Sequence, residues 1–176
     1  MCLTMQGKRL AISPTTYNDT RESNIMNVCE YDDQYPTCER THVELRIYSD
    51  TLTCREISSR LDVEPSRQRE KGTIRQSVTG SQTIAERSTW ILSTELLVDS
   101  HDLRRHLDHL LTLLADSCDA ILKLQFDDGV YATIWGIWWS AHGHGGPTLA
   151  WDEMKRLAEL HLDLCLDVYF VEETME

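Results

Sequence analysis

The residue types best suited to bind a ligand lie in one stretch of the chain, residues 129–147. Trp135 and Trp139 occur on a segment rich in aromatic residues, and His142 and His144 follow in a glycine-rich segment. Indole rings offer large flat surfaces, and imidazole binds zinc, copper or nickel. Two histidines are too few for a protein metal site, so the sequence predicts no metal and no cofactor. The stretch is therefore a candidate surface for a partner or a small ligand.

A short basic stretch is the second candidate. Arg67, Arg69, Lys71 and Arg75 stand against the single acid Glu70 in a polar segment. Guanidinium groups can hold a phosphate or carboxylate through charge-assisted hydrogen bonds. The alternative is a solvated loop that pairs with the acidic C-terminal part of the chain. Catalytic residues remain unknown, since no Ser-His-Asp or Cys-His arrangement stands out, and an enzyme is less expected than a binding protein.

Charge and composition limit the kind of partner. The formal net charge is −12, from 29 acidic and 17 basic residues, and such a surface repels nucleic-acid backbones. The sequence predicts no membrane span, because its apolar runs are short and interrupted. The N-terminal residues lack the basic-then-apolar order of a signal peptide, so the expected location is the cytoplasm. The six cysteines form no Cys-x-x-Cys motif and are expected to be small buried side chains.

Hydrophobic periodicity predicts the element order β-α-β-α-β-β-α-β. Strands are predicted at 41–49, 88–94, 120–127, 129–139 and 164–171, with one buried face on the first of them. The first helix begins with a capping box formed by Thr53 and Glu56. The second helix spans about 99–117, and the third spans about 148–161 with Trp151 and Met154 on its inner side. Residues 66–87 are predicted to be a long polar loop, and Asp128-Gly129 a hairpin turn.

The fold class that this order predicts is α+β. The last six elements match a ferredoxin-like, split βαβ arrangement, in which an antiparallel sheet carries its helices on one face. The first strand and helix add an extra N-terminal β-α unit. The predicted organisation is an N-terminal arm at 1–40, largely irregular, followed by a single α+β domain at 41–173.

One face of the predicted sheet lacks helices. Tyr131, Trp135 and Trp139 alternate along the fourth strand and point to that second face. An aromatic row of this kind must be covered by the arm, by the polar loop, by a second subunit or by a ligand.

The body of the chain resembles the DUF4279 family of uncharacterised bacterial proteins. The matching pieces are the opening strand His42–Tyr48, the helix and its exit Ile57–Ser66, the loop at Gly72, Thr89-Trp90, the long amphipathic helix and Leu160–Tyr169. The resemblance covers about residues 41–171 and leaves the N-terminal arm outside. It implies no settled activity and supplies no catalytic residues.

The leading hypothesis is a non-enzymatic cytoplasmic interaction protein that offers an acidic surface and an aromatic sheet face to another protein. A concrete version is an immunity-type inhibitor of a basic partner, because opposite charges accelerate encounter. The alternative is a small-ligand- or metal-binding domain, possibly enzymatic, that uses Trp135, Trp139, His142, His144 and the basic stretch. A third possibility is homodimerisation through the sheet.

Overall fold

Strands with alternating apolar residues form the framework of the protein. The computed structural model describes residues 30–76, 80–127 and 129–170. The described strands are β1 (Cys38–Ser49), β2 (Arg67–Arg69), β3 (Ile74–Gln76), β4 (Gln82–Ile84), β5 (Ser88–Ser93), β6 (Val130–Ser140) and β7 (Asp163–Phe170). The described helices are α1 (Cys54–Leu61), α2 (Leu103–Leu113), α3 (Cys118–Leu124) and α4 (Trp151–Glu159). The predicted α+β class is confirmed.

Five strands form one mixed sheet in the order β2-β5-β1-β6-β7, and β3 and β4 form a separate two-stranded ribbon. Neighbours in the sheet are antiparallel, except that β6 and β7 are parallel. The prediction of an antiparallel sheet is therefore wrong for this last pair. The physical reason is the connection through α4, because a strand, a helix and a second strand allow the parallel direction.

The helices meet the sheet on one side, which we call the inner face. Its largest fully buried side chains include Leu45, Ile47, Trp90 and Trp138, and they join apolar residues from all four described helices in one core. The Trp90 indole donates a hydrogen bond to Ser58 Oγ of α1 at 3.0 Å, so even the polar atom of this core ring is satisfied. We call the opposite side of the sheet the outer face.

Two predicted elements differ in the structure. Residues 118–124 form α3, so the strand predicted at 120–127 and its hairpin are wrong, and the ferredoxin-like arrangement is not confirmed. Ile121 and Leu124 are buried at a helical spacing, which the short segment also permits. The predicted loop at 66–87 contains β2, β3 and β4, whose residues are all exposed and therefore leave no hydrophobic pattern.

The residues that are buried on β1 and on α4 differ from those expected from the sequence. The first strand was expected to have one buried face, but β1 is the central strand, and His42 and Glu44 on its polar side are buried as well. On α4 the buried residues are Glu153 and Leu157. Trp151 and Met154, predicted on the inner side of this helix, are exposed. The capping box at the start of α1 is confirmed.

A segment ahead of β1 is fixed to the core. This segment, residues 31–37, is called the N-terminal strap. The Tyr35 ring packs edge-on against Trp138 with 5.3 Å between ring centroids. The backbone amide of Asp32 donates a hydrogen bond to Asp102 Oδ2 at 2.9 Å. The strap therefore contacts both the sheet and the start of α2.

Parts of the predicted domain organisation lie outside the described residues. They are residues 1–29 of the arm, Asp128 of the predicted turn, and residues 171–173 at the predicted end of the domain. Within the described chain, the compact unit begins at Tyr31. None of the helices in that described part is long and apolar enough to cross a membrane.

Gly136 allows α2 and β7 to approach β6 closely. A Cβ atom at this position would lie 2.9 Å from Leu166 Cδ2 and 3.0 Å from Leu103 Cδ2. We therefore expect Gly136→Val to lower the free energy of unfolding by about 1–3 kcal/mol through overpacking. Urea unfolding followed by tryptophan fluorescence measures it.

Gly146→Val is the matched control for this change. A Cβ atom at Gly146 has nothing within 4 Å, so the control should leave the free energy of unfolding nearly unchanged. Equal losses in the two variants would contradict the role assigned to Gly136.

Candidate functional site

The outer face of the sheet carries a continuous set of aromatic and charged side chains. Residues that pair across neighbouring strands share a face, and β1 sets Glu44 opposite Trp135 and Tyr48 opposite Tyr131. On the other side of β6, Trp139 stands opposite Tyr169. The principal members of this face are Arg40, His42, Glu44, Arg46, Tyr48, Arg67, Arg69, Tyr131, Trp135, Trp139, Asp163, Asp167 and Tyr169.

The carboxyl group of Glu44 lies at the centre of this face and is 1% exposed. It accepts hydrogen bonds from Arg46 Nε at 2.6 Å and from Arg67 Nη2, and His42 Nε2 lies 3.4 Å away. Burial acts to raise the pKa of Glu44. The hydrogen bonds from His42 and Arg46 and the two guanidinium charges outweigh burial and hold the pKa below its ordinary value of 4.5. Glu44 is thus a buried anion that orients two arginines.

Arginine side chains lie over both outer-face indoles. Arg46 Cζ is 4.3 Å from the centroid of the Trp135 ring, and Arg40 Cζ is 3.8 Å from that of Trp139. Trp139 also stacks on Tyr169, with a centroid distance of 5.2 Å and an interplanar angle of 15°, and the centroid of the His42 ring lies 5.7 Å from that of Trp139. Both indoles remain partly exposed. These contacts hold the rings in fixed orientations, which lowers the entropy that a partner must remove on binding.

The predicted site residue Tyr131 belongs to the same face. Its ring stacks on Tyr48 at 6.5 Å with an interplanar angle of 17°, and Tyr131 is exposed. The row predicted from alternation along β6, which is Tyr131, Trp135 and Trp139, is therefore a real row on the sheet.

The three predicted basic site residues separate in the structure. Arg67 and Arg69 lie on β2 and point to the outer face, opposite Ile91 and Thr89 of β5. Lys71 follows the end of β2, and its Nζ donates to the backbone oxygen of Asp50 at 2.9 Å. Only the two arginines therefore add to the aromatic surface.

His142 and His144 lie in the segment that follows β6, and both are exposed. Their ring centroids are 6.2 Å apart. Among the residues that the structure describes, no group of three or more His, Cys, Asp or Glu side chains could hold a metal ion. The Ser140 hydroxyl donates to the backbone oxygen of His144 at 2.9 Å, which ties this segment to the end of the strand. The pair thus lies just beyond the end of β6, and within the described residues it is not part of a metal centre.

Two polar atoms of the outer face are buried without a hydrogen-bond partner within the described chain. They are Nδ1 of His42 and Nε1 of Trp135. Trp138 Nε1, in the core, has no hydrogen-bond partner in the described chain either. Buried polar atoms in native proteins are nearly always hydrogen-bonded, so these positions are where an ordered water can supply the missing partner.

The charge of the outer face differs from that of the whole protein. Four arginines on it, Arg40, Arg46, Arg67 and Arg69, face three acids, Glu44, Asp163 and Asp167. Arg40 and Arg69 make no ion pair with any residue of the described chain. The net charge of −12 therefore comes from other parts of the chain, and the outer face offers guanidinium groups to a partner.

Four cavities among the described residues lie away from the indoles. They have volumes of about 410 to 470 Å³ and are lined by residues of α1, of α2 and the strap, of the β1–α1 connection, and of α3. None of these four includes Trp135, Trp139, His142 or His144. The described outer face is an open surface, which suits a macromolecular partner better than an enclosed metabolite.

Reasoning from sequence missed the contribution of β1. His42, Glu44 and Arg46 alternate with apolar residues, a pattern that is typical of a solvated strand face. The sequence signal that could have revealed this contribution was the aromatic strand now seen as β6. The polar residues of any strand that pairs with β6 must share a face with Trp135 and its neighbouring rings. Tyr169 was also missed as a site residue, although it alternates with the apolar residues of the last strand.

The fold and this surface define an α+β domain built on an open, mixed sheet. The chain belongs to the family described as a domain of unknown function, DUF4279, which matches residues 39–171. The resemblance inferred from the sequence is confirmed. No curated protein and no solved structure matches the chain.

Proposed function

We propose that the protein is a non-enzymatic interaction module of the cytoplasm, and that it docks a protein partner on the outer face of its sheet. The observation that carries this proposal is that the outer face bears the fixed, partly exposed rings of Trp135 and Trp139. The same face bears the guanidinium groups of Arg40, over Trp139, and of Arg69, on β2, neither of which makes an ion pair within the described chain. Aromatic and arginine side chains dominate the energetic centres of protein interfaces. A partner for this face supplies apolar groups for the rings and carboxylates for the arginines.

A small-ligand function has less support from the geometry. It requires a concave site that encloses most of the ligand, and the outer face around Trp135 and Trp139 is a sheet surface. His142 and His144 would need further ligands to hold a metal, and the described residues offer no third one.

The immunity-type inhibitor of a basic protein is a second proposal, favoured by the net charge of −12. It requires a different surface, because arginines outnumber acids on the outer face. Asp116 and Asp119 are exposed acids at the start of α3, on the helical side of the sheet, and they make no ion pair within the described chain. Such acids would meet a basic partner.

A pair of charge reversals separates the two proposals. The tagged full-length protein is crosslinked in its native host, the partner is identified by mass spectrometry, and its affinity is then measured with purified proteins. We expect Arg40→Glu with Arg69→Glu to weaken binding at least about tenfold, because two guanidinium contacts are replaced by repulsion. Asp116→Lys with Asp119→Lys is the matched control and should leave the affinity unchanged.

The reverse result would favour the immunity-type proposal and overturn docking on the outer face. A partner that binds both double variants with unchanged affinity would overturn both proposals, and so would the absence of any partner. Circular dichroism of each variant shows whether the fold is retained.

A further inference from the structure

The strand β7 forms one edge of the five-stranded sheet. One side of β7 pairs with β6 over eight residue pairs, while no described strand pairs with the other side. An edge strand presents backbone amides and carbonyls that can pair with another strand. Proteins commonly protect such edges with charged residues, proline or a bulge. The sequence of β7, Asp-Leu-Cys-Leu-Asp-Val-Tyr-Phe, contains neither lysine nor proline, and its two charged residues, Asp163 and Asp167, both lie on the outer face.

Exposed apolar side chains accompany this open edge. On the inner face of β7 the alternating residues Leu166, Val168 and Phe170 are 46%, 40% and 63% exposed. Trp151 and Met154 of α4 are 64% and 51% exposed. Contiguous exposed apolar residues on a folded domain usually mark an interaction surface.

The apolar side of α4 faces toward this edge. Arg156 Nη1 of α4 binds Asp108 Oδ1 of α2 at 2.5 Å, so the Arg156 side of the helix faces α2. Met154 precedes Arg156 by two residues and therefore lies about 200° around the helix. Its side chain points away from α2, toward the side of the sheet where β7 lies. The exposed apolar residues of α4 and those of β7 therefore both lie on the helical side of the sheet.

We propose that two copies of this chain pair through β7 in an antiparallel, two-fold manner and form a continuous ten-stranded sheet. A two-fold axis makes the same surface serve on both copies, so each backbone group of the edge finds its partner in the same strand of the second copy. The apolar residues of α4 and β7 in the two copies are then brought together on the inner face.

The side chains of β7 restrict the register of this pairing. Residues that lie opposite each other in an antiparallel pair point to the same face of the sheet. The two-fold axis must therefore pass between the two copies of one residue, and we name each possible axis by that residue. An axis at Cys165 sets Asp163 against Asp167, and an axis at Asp167 sets that residue against its own copy, which places like charges opposite each other. Axes at Leu166 or Val168 avoid this repulsion, and axes nearer either end pair fewer residues.

Cysteine crosslinking tests both the interface and its register. A residue on the axis faces its own copy at about 4.5–5.5 Å between Cα atoms, within the range that a disulfide spans. We expect either Leu166→Cys or Val168→Cys to form a symmetric disulfide dimer under mild oxidation, identified by peptide mass spectrometry. Leu96→Cys is the matched control: Leu96 is 95% exposed and lies outside the edge, so it should not crosslink above the wild-type level.

Light scattering of the full chain across a wide range of concentrations should give the mass of a dimer. Val168→Lys should raise the dimer dissociation constant at least about tenfold, because charges on an edge oppose pairing. Trp135→Ala should leave the dimer intact, since Trp135 lies on the outer face of another strand.

A monomer at all concentrations would overturn the proposal and would mean that another segment of the chain or another protein covers the edge. A dimer that is insensitive to Val168→Lys and gives neither disulfide would also overturn it. None of these outcomes depends on whether a protein partner docks on the outer face.

Discussion

Replacing Asp102 with alanine is expected to lower the free energy of unfolding by about 3–5 kcal/mol. Asp102 is fully buried and precedes α2, where its Oδ1 accepts hydrogen bonds from the backbone amide and the Nε of Arg104, both at 3.0 Å. Its Oδ2 accepts the amide of Asp32 from the N-terminal strap. Alanine would remove the helix cap, the buried counter-ion of Arg104 and the anchor of the strap together. Guanidinium unfolding, followed by circular dichroism, measures the loss.

Two comparison variants isolate the source of this effect. Asp102→Asn keeps an oxygen that can cap the helix, so the difference between the asparagine and alanine variants reports the cap. Asp108→Ala removes an ion pair of similar geometry between half-exposed residues, Arg156 and Asp108, and should cost at most about 1 kcal/mol. If Asp102→Ala cost no more than Asp108→Ala, the buried cluster would not stabilise the fold.

The stabilisation that Asp102 and Arg104 contribute is expected to depend on pH. Burial acts to raise the pKa of Asp102, but the hydrogen bonds from Arg104 and Asp32 and the Arg104 charge hold it below its ordinary value of 3.8. Because the folded pKa lies below the unfolded one, the stabilisation is present at neutral pH and is lost as the pH falls through the folded value. The difference between wild type and Asp102→Asn should therefore shrink below about pH 4.

Replacing Glu44 with alanine is the second large expected effect, a loss of about 2–4 kcal/mol in the free energy of unfolding. The substitution removes the carboxylate that forms an ion pair with Arg46, and the Arg46 side chain is only 20% exposed. A double-mutant cycle between Glu44 and Arg46 should give a coupling of about 1.5–3 kcal/mol, as for hydrogen bonds to charged groups.

Arg67→Ala is the matched control for Glu44. The Arg67 side chain is more than half exposed, so its loss should cost at most about 1 kcal/mol. The pKa of Glu44 is lowered on folding, so its stabilisation is also present at neutral pH and decreases as the pH falls below 4.5. A coupling near zero between Glu44 and Arg46 would contradict the role given to this carboxylate.

Local patterns in the sequence predicted much of the sheet. Alternation identified β1, β5, β6 and β7 near their observed bounds, because these strands have apolar residues on the inner face. The error at 120–127 arose because a short segment rich in apolar residues fits a strand and a helix equally well. The parallel pairing of β6 and β7 could not be predicted from either strand. The alternation of apolar residues along a strand is the same whether its neighbour runs parallel or antiparallel.

The candidate site was predicted in part for a related reason. The aromatic row on β6 is local, and its face could be assigned from its own sequence. The position of Arg40 and Arg46 over Trp139 and Trp135 depends on which strand lies beside β6, and this is a long-range property. Burial of Glu44 depends on the same pairing. The cytoplasmic location and the type of partner stay predictions.

The N-terminal strap determines where a fragment of this domain should begin when it is expressed alone or fused to another protein. The family match begins at residue 39, after the strap has ended. Tyr35 seals one side of Trp138, and its hydroxyl donates to the Gly146 oxygen at 3.2 Å, so a fragment cut at the family boundary would expose an indole from its interior. A fragment for fusion, grafting or expression should therefore start at Tyr31, where the compact unit begins. The family boundary at residue 39 marks only where sequence similarity begins.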